Sequence, residues 1–185
     1  MLGIDISEKM LERAITFTHD PMIRYQRADL ETLVLPARAY HLVFSSLVFS
    51  SLAFHYIAHL ERLTAQIARA LVPGGSLVFS VEHPIYTAPA NPGWVTDPKG
   101  HKTWPVDSYQ NEGHRSTDWL VKGVIKQHRL IATYVNLLIE RGFTISHLNE
   151  WGPTQEQIAA QPELSEERER PMFLLVSARL QRQTV

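Results

Sequence analysis

Short apolar runs alternate with segments of helical periodicity along this chain of 185 residues. The clearest pair begins at His55, where apolar residues recur every three or four positions up to Leu71, Pro-Gly-Gly follows, and the apolar run SLVFSVEH comes next. The first part is typical of an amphipathic helix and the last of a buried strand. Because strands that alternate with helices build parallel sheets, the sequence predicts an α/β fold with a mostly parallel sheet.

The same alternation continues on both sides of this pair. Residues 1–5 predict a short buried strand, and Ser7 is placed to cap the helix that follows it. The other predicted strands are MIRYQRADL, which has Asp29 at its carboxyl end next to Leu30, then YHLVFSSLVFSS, FTISHLNEW and PMFLLVSARL. The other predicted helices are RLIATYVNLLIERG, which ends at Gly142, and a polar helix over TQEQIAAQPELSEERER that breaks at Pro162. These elements fit one domain over residues 1–185.

Residues 84–128 interrupt the alternation with prolines, glycines and aromatic residues. Within them, DWLVKGVIKQH alternates as a strand does and predicts an additional strand. Because this segment follows the strand that ends at His83, we expect an ordered cap over the carboxyl edge of the sheet. Its large aromatic residues would cover a small substrate, pack the cap onto the domain, or both: Trp94, Trp104, Tyr109 and Trp119.

The composition excludes several classes of function. A formal net charge of -1 and an isoelectric point near 6.8 give no electrostatic reason to expect nucleic acid or an anionic membrane as a partner. The chain contains no cysteine, which excludes disulfides and thiolate metal sites and fits a reducing compartment. The most apolar run, LVFSSLVFSSLAF, is too short to span a bilayer, so the sequence predicts a soluble, cytoplasmic protein.

Four segments follow one another along the chain: GIDISEKML, RADLETL, SSLAFHYI and LVPGGSLVFSVEHP. Taken in this order, they resemble class I methyltransferases that use S-adenosylmethionine, of the methyltransferase type 11 kind. The last is the most specific, because a helix, Pro-Gly-Gly and an apolar strand are common at the fifth strand of this family. The resemblance runs from the family's second strand to the C terminus. It implies a Rossmann-like sheet, S-adenosylmethionine as cofactor, and methyl transfer to a small-molecule nucleophile.

The family's first strand, and the glycine-rich loop that contacts the methionine part of the cofactor, have no counterpart in this sequence. We therefore expect a sheet without the first strand and first helix, from a truncated reading frame rather than a degraded copy. The strands beside the vacant position would either close up and pair or leave exposed edges that self-associate. The same gap predicts impaired cofactor binding. Two alternatives are a non-catalytic remnant that serves as an interaction module and a dinucleotide-dependent oxidoreductase, against which VPGGSLVFSVEHP argues.

By this resemblance, the cofactor residues lie at the carboxyl ends of the early strands. Asp5 would accept hydrogen bonds from both ribose hydroxyls and Ile6 would lie against the adenine, unless Asp5 only caps the next helix and Ile6 only fills the core. Asp29 would accept from the adenine amine and Leu30 would present its backbone N–H, although a strand-end aspartate also suits a turn. LVFSS occurs twice in succession, which leaves open which serines lie beside the cofactor: Ser45 and Ser46, or Ser50 and Ser51.

Four residues are candidates for the methyl-transfer pocket. Glu82 and His83 close their strand, where either could act as a general base unless they only form the loop. His55 and Tyr56 would line the pocket or pack in the core. The spacing of His55 and His59 is that of a two-histidine metal site, but the glutamate of HExxH is absent and no third ligand is evident, so we predict no metal.

Overall fold

The structure is a computed structural model, and it describes residues 1–45, 53–119 and 121–182. The strands in these residues are β1 (Leu2–Asp5), β2 (Arg24–Arg27), β3 (Tyr40–Ser45), β4 (Leu71–Glu82), β5 (Val95–Thr96), β6 (Lys102–Thr103), β7 (Gly113–Trp119), β8 (Val121–His128), β9 (Phe143–Glu150) and β10 (Phe173–Leu180). The α-helices are α1 (Glu8–Phe17), α2 (Leu60–Ala70), α3 (Pro84–Thr87), α4 (Ile131–Glu140) and α5 (Gln155–Ala160). Two 3-10 helices cover Phe54–Tyr56 and Pro162–Arg168. No helix of the described residues is long and apolar enough to cross a bilayer.

The main sheet has four strands in the order β3-β4-β10-β9. β3 and β4 pair in parallel, with Val43 opposite Leu77 and Ser45 opposite Phe79. β10 is antiparallel to both β4 and β9, so the other three strands share one direction and β10 alone is reversed. This arrangement agrees with the α/β fold predicted from the sequence, but the sheet is mixed, because one of its three described strand pairings is parallel and two are antiparallel. The parallel pairing brings the carboxyl ends of β3 and β4 to the same edge.

Helix α2 supplies the apolar face that its periodicity predicts. The core cluster that it joins includes Leu60, Leu63, Ile67, Leu77, Phe79, Val81, Leu138, Leu174 and Val176. Phe54 stacks on Phe79, with 4.8 Å between the ring centroids. Because these residues come from β4, β10, α2 and α4, the core holds the carboxyl end of β4 in a fixed position.

The Pro-Gly-Gly segment lies inside β4 and has a structural role. Helix α2 ends at Ala70, and β4 begins at the next residue. Gly74 has a φ of +84°, which L side chains rarely adopt. A Cβ on Gly75 would lie 2.9 Å from the carbonyl oxygen of Val72, closer than real Cβ atoms come. Both glycines are therefore needed for this irregular stretch of backbone, across which the register of β3 on β4 shifts.

β1 and β2 pair in parallel and form a separate two-stranded sheet. Ser7 caps α1 as predicted, because its hydroxyl accepts a hydrogen bond from the N–H of Met10 at 3.4 Å. No residue of α1 is buried, however, and Phe17 is 75% exposed. The helical spacing of apolar residues in α1 thus does not mark a core face within the described part of the chain.

A groove of about 530 Å³ lies between this small sheet and the main sheet. It is lined by β1 and β3, which belong to different sheets and do not pair with each other over their described residues. Leu42 and Phe44 of β3 line the groove and are both more than half exposed. Within their described residues, β1 and β3 therefore have not closed up to pair with each other.

Two stretches differ from the sequence prediction. The helix predicted from His55 begins only at Leu60, because His59 becomes the N-terminal cap of α2 and His55 lies in the preceding 3-10 helix. Residues 84–128 form α3 and two hairpins, β5-β6 and β7-β8. The additional strand predicted within DWLVKGVIKQH is present as β8, which pairs with β7 and not with the main sheet.

Candidate active site

The carboxyl end of β4 places an ionisable side chain in the interior. Glu82 is buried, and its Oε1 accepts a hydrogen bond from Nζ of Lys126, on β8, at 2.6 Å. Its Oε2 is also buried and has no hydrogen-bond partner among the described residues. Burial raises the pKa of Glu82 above the ordinary carboxyl value, and the Lys126 ammonium partly opposes this shift. Glu82 therefore has one oxygen committed to an ion pair and one available to a ligand.

His55 and Tyr56 lie in the first 3-10 helix, which brings them next to Glu82 at the end of β4. The backbone N–H of Glu82 points at Nδ1 of His55 at 3.5 Å, and Nε2 of His55 has no partner in the described part of the chain. Burial, assisted by the charges of Lys126 and Arg129, lowers the pKa of His55 to about 3. Burial and the charge of Glu82 raise the pKa of Tyr56 to about 12. Both side chains are therefore neutral near pH 7.

His83 is held through both ring nitrogens. Its Nδ1 accepts a hydrogen bond from the N–H of Ile85 at 3.1 Å, which caps α3. Its Nε2, which then carries the proton, donates to Oε1 of Glu150 at 2.8 Å. Burial lowers the pKa of His83, and Glu150 partly opposes this. The general-base role predicted for His83 would require one of these two bonds to break, whereas Glu82 has an unoccupied oxygen.

Asp5 ends β1 and takes part in the turn into α1. Its Oδ1 accepts a hydrogen bond from the N–H of Ser7 at 2.8 Å, so the predicted local capping contact is present. Its Oδ2 makes no hydrogen bond within the described residues and can accept from a ligand. Ile6 is 59% exposed and is not a core residue.

Asp29 lies two residues beyond the end of β2, in a turn. Its Oδ1 accepts from the N–H of Glu31 at 2.8 Å, its carbonyl accepts from the N–H of Thr32, and the side chain is exposed. This is the turn geometry that the sequence offered as the alternative to adenine binding. Leu30 is partly buried, and its carbonyl oxygen accepts a hydrogen bond from the guanidinium of Arg62.

The groove between β1 and β3 brings together three of the predicted cofactor residues. Asp5, Leu30 and Ser45 all line it, whereas Ile6 and Asp29 are not part of its lining. Ser46 and Ser50 lie outside the described residues. Which copy of LVFSS approaches the cofactor therefore stays open. No group of three potential metal ligands occurs among the described residues, and His55 and His59 do not share a helix.

A cavity of about 610 Å³ lies beside Glu82, within the size range of small-molecule sites. Two of the aromatic residues predicted to cover a substrate, Trp94 and Trp104, line it. Tyr109 does not, because its ring packs edge-on against buried His128, with 5.8 Å between the ring centroids. The side chain of Trp119 lies outside the described part of the structure.

The wall of this cavity is built around the guanidinium of Arg170. Its Cζ lies 4.2 Å from the ring centroid of Trp104, 4.4 Å from that of Tyr86 and 5.1 Å from that of Trp94. Arg170 is buried and donates to Glu167 at 3.0 Å. A desolvated cation over an aromatic ring contributes about 2 kcal/mol. These contacts join the segment before β10 to residues 84–128 and stiffen the wall.

The sequence prediction missed Lys126 and Arg170. Lys126 is 2% exposed while its neighbour Ile125 is 57% exposed, the reverse of the usual alternation of a half-buried strand. Arg170 ends the charged run ELSEERER, which is typical of a solvated helix. Neither position carries a local signal of burial, because each is buried by partners from distant segments.

Comparison with known proteins gives concordant matches. A family profile for a methyltransferase domain matches residues 1–79. An uncharacterized protein from Haemophilus influenzae is 32% identical over 195 residues, a match that covers 97% of this chain and 71% of that protein. The crystal structure of an S-adenosylmethionine-dependent methyltransferase from Mesorhizobium loti is 54% identical with a TM-score of 0.90, covering 96% of this chain and 79% of that one. A candidate S-adenosylmethionine-dependent methyltransferase from Listeria monocytogenes is 40% identical with a TM-score of 0.85, covering 97% and 79% of the two chains.

Proposed function

Because the chain belongs to the family of S-adenosylmethionine-dependent methyltransferases, we propose that it transfers a methyl group to a small-molecule nucleophile bound in the cavity beside Glu82. The observation that carries this proposal is Oε2 of Glu82, a buried carboxylate oxygen without a protein partner in the described residues, at the carboxyl end of β4. Open α/β sheets bind their ligands at the carboxyl ends of the strands.

S-adenosylmethionine supplies an electrophilic methyl group on a sulfonium ion. The groove between β1 and β3 supports the adenosine half, because Oδ2 of Asp5 can accept from a ribose hydroxyl and Leu30 and Ser45 line the same groove. The fit is partial: the sequence has no glycine-rich loop for the methionine half, and Gly74 and Gly75 are fixed within β4. We therefore propose that residues 1–185 bind the cofactor weakly.

Glu82 acts as the general base. Oε2 would accept a hydrogen bond from the hydroxyl or amino group of the acceptor and would take up its proton as that oxygen or nitrogen is methylated. The methyl–sulfur bond of the sulfonium would break in the same transfer, with its electron pair left on the neutral thioether sulfur. Desolvation raises the pKa of Glu82, and the Lys126 ammonium on Oε1 partly opposes this shift by favouring the ionised carboxylate. Neutral His55 positions the end of β4 through its contact with the backbone of Glu82.

The test is a methyl-transfer assay with tritiated S-adenosylmethionine at millimolar concentration. The acceptors are a panel of phenols, carboxylic acids and amines, and the enzyme is in excess over each acceptor. Glu82→Gln keeps the shape of the side chain but removes the base, and we expect the rate to fall about 10²- to 10⁴-fold. Glu163→Gln, at an exposed glutamate, is the matched control and should transfer at the wild-type rate. Equal rates in Glu82→Gln and the wild type would refute the assignment of the base.

A second candidate function, that of an interaction module, is favoured by the exposed edge of β3. Leu42 is 56% and Phe44 is 61% exposed, and both lie on a strand with an apolar groove at its side. Unpaired strand edges of this kind recruit other chains. We propose that the partner that binds along this edge is a second copy of this chain.

The cytoplasmic location inferred from the composition stays a prediction.

A further inference from the structure

We propose that the acceptor is an aromatic carboxylate that carries a hydroxyl or amino group. Arg170 and Thr117 bind its carboxylate, and Glu82 accepts the hydrogen bond of its hydroxyl or amino group. This inference rests on the proposed function, whose substrate it specifies. It is drawn from three features of the cavity beside Glu82.

The first feature is a set of buried polar atoms without partners. Three side chains of the cavity lining contain such an atom among the described residues: Oε2 of Glu82, Oγ1 of Thr117 and Nε of Arg170. Native proteins leave few of these, because a buried polar atom without a partner loses the hydrogen bonds that water would give it. The Glu82 carboxylate can only accept, the Arg170 guanidinium can only donate, and the Thr117 hydroxyl can do either. A ligand that satisfies all three needs a donor group and, separately, an acceptor group.

The second feature is the charge of the lining. Among the described lining residues, Arg115, Lys126 and Arg170 are cationic and Glu82 is the one carboxylate. Lys126 contacts Glu82 at 2.6 Å and Arg170 contacts Glu167 at 3.0 Å, whereas Arg115 forms no ion pair with any described residue. The guanidinium of Arg115 is instead fixed by backbone carbonyls, including that of Ala88 at 2.9 Å. Its positive charge is therefore held in place beside the cavity, which favours an anionic group on the ligand.

The third feature is the aromatic cluster in the lining. The rings of Tyr86 and Trp104 stack on each other, inclined by 8° with 5.4 Å between their centroids, and Trp94 meets Trp104 edge-on. A ligand ring that packs edge-to-face against such a cluster gains affinity beyond that of its buried area. An aliphatic acid would leave this contribution unused, so the acceptor that fits best combines a ring with its carboxylate.

The test measures binding by calorimetry in the absence of cofactor. The probes are 4-hydroxybenzoate and 2-aminobenzoate, each paired with its neutral amide, 4-hydroxybenzamide or 2-aminobenzamide. We expect each acid to bind at least about tenfold more tightly than its amide, with the preference decreasing as salt is added. Equal or tighter binding of the amides, or no saturable binding of either acid, would overturn the proposal.

Two substitutions locate the site. Thr117→Val keeps the shape but removes the hydroxyl, and Arg170→Lys keeps the charge but removes Nε. We expect each to weaken binding of the acids about three- to tenfold. The matched control is Thr103→Val, at an exposed threonine on β6 outside the cavity lining, which should bind as the wild type does. Circular dichroism checks the fold; should Arg170→Lys unfold, Thr117→Val decides. Wild-type affinity in the folded variants would overturn the assignment.

Binding and transfer separate this inference from the proposed function. Preferential binding of the acids without transfer of the tritium label would support the acceptor class and contradict the proposed function. Transfer of label to neutral phenols or amines as fast as to the acids would support the function and overturn the acceptor class.

Discussion

Replacing His55 by glutamine should remove a large part of the pH dependence of folding stability. His55 is fully buried, and burial, assisted by the charges of Lys126 and Arg129, lowers its pKa to about 3 from the ordinary 6.5. The unfolded chain therefore takes up a proton at this residue near pH 6.5, whereas the folded chain does not until about pH 3. The stability that neutral His55 contributes is complete above pH 6.5 and is lost as the pH falls toward 3.

The magnitude follows from the two pKa values. Each pH unit below 6.5 lowers the free energy of unfolding by about 1.4 kcal/mol, so the loss between pH 7 and pH 5 is about 2 kcal/mol. This figure depends little on the folded-state pKa, because pH 5 lies well above 3.

Urea unfolding at pH 7 and pH 5, followed by circular dichroism, measures the effect. The decrease in the free energy of unfolding between the two pH values should be about 2 kcal/mol smaller in His55→Gln than in the wild type. His83 and His128, whose pKa values are also lowered by burial, contribute equally to both proteins and cancel. His19→Gln, at an exposed histidine, is the control and should keep the wild-type dependence. An unchanged decrease in His55→Gln would refute the reasoning.

Three further predictions concern the ion pair, the cofactor residues and the open strand edge. Glu82→Ala should lower the free energy of unfolding by about 3–5 kcal/mol in urea melts, because it removes the carboxylate that buried Lys126 contacts; Glu82→Leu with Lys126→Met should recover most of the loss. In a chain extended by a first strand and glycine-rich loop, Asp5→Ala should weaken S-adenosylmethionine binding by about 1–2 kcal/mol more than Asp29→Ala in calorimetry, and equal losses would count against Asp5. Phe44→Lys should shift the chain toward monomer in light scattering, whereas an unchanged mass would exclude the β3 edge as the contact.

Local patterns were sufficient to predict most of the elements. The sequence predicts α4 from its apolar period, and it predicts the end of this helix from Gly142, which has a φ of +80°. Both features depend only on residues close in sequence. The cap of α1 by Ser7 and the strand β10 are of the same kind. The break before Leu60 was missed, because His59 as a helix cap has no distinctive residue pattern.

The site could be predicted only in part, for a physical reason. Glu82 was recognised because it ends an apolar strand, but its partner Lys126 lies 44 residues away and no local pattern links the two. The predicted base His83 was a plausible choice by position, yet the bonds to Ile85 and Glu150 that occupy its ring depend on tertiary packing. The sequence thus predicts which side chains lie near the site. It does not predict which of their atoms remain free to hydrogen-bond a ligand.

The proposal that residues 1–185 of this methyltransferase bind the cofactor weakly is tested most directly by calorimetric titration of S-adenosylmethionine into the purified chain. The account predicts saturable binding with a dissociation constant above about 100 µM, and no binding of NAD. A dissociation constant of about 1 µM or lower, from a sample that light scattering shows to be monomeric, would contradict it and would mean that the groove between β1 and β3 suffices without a glycine-rich loop.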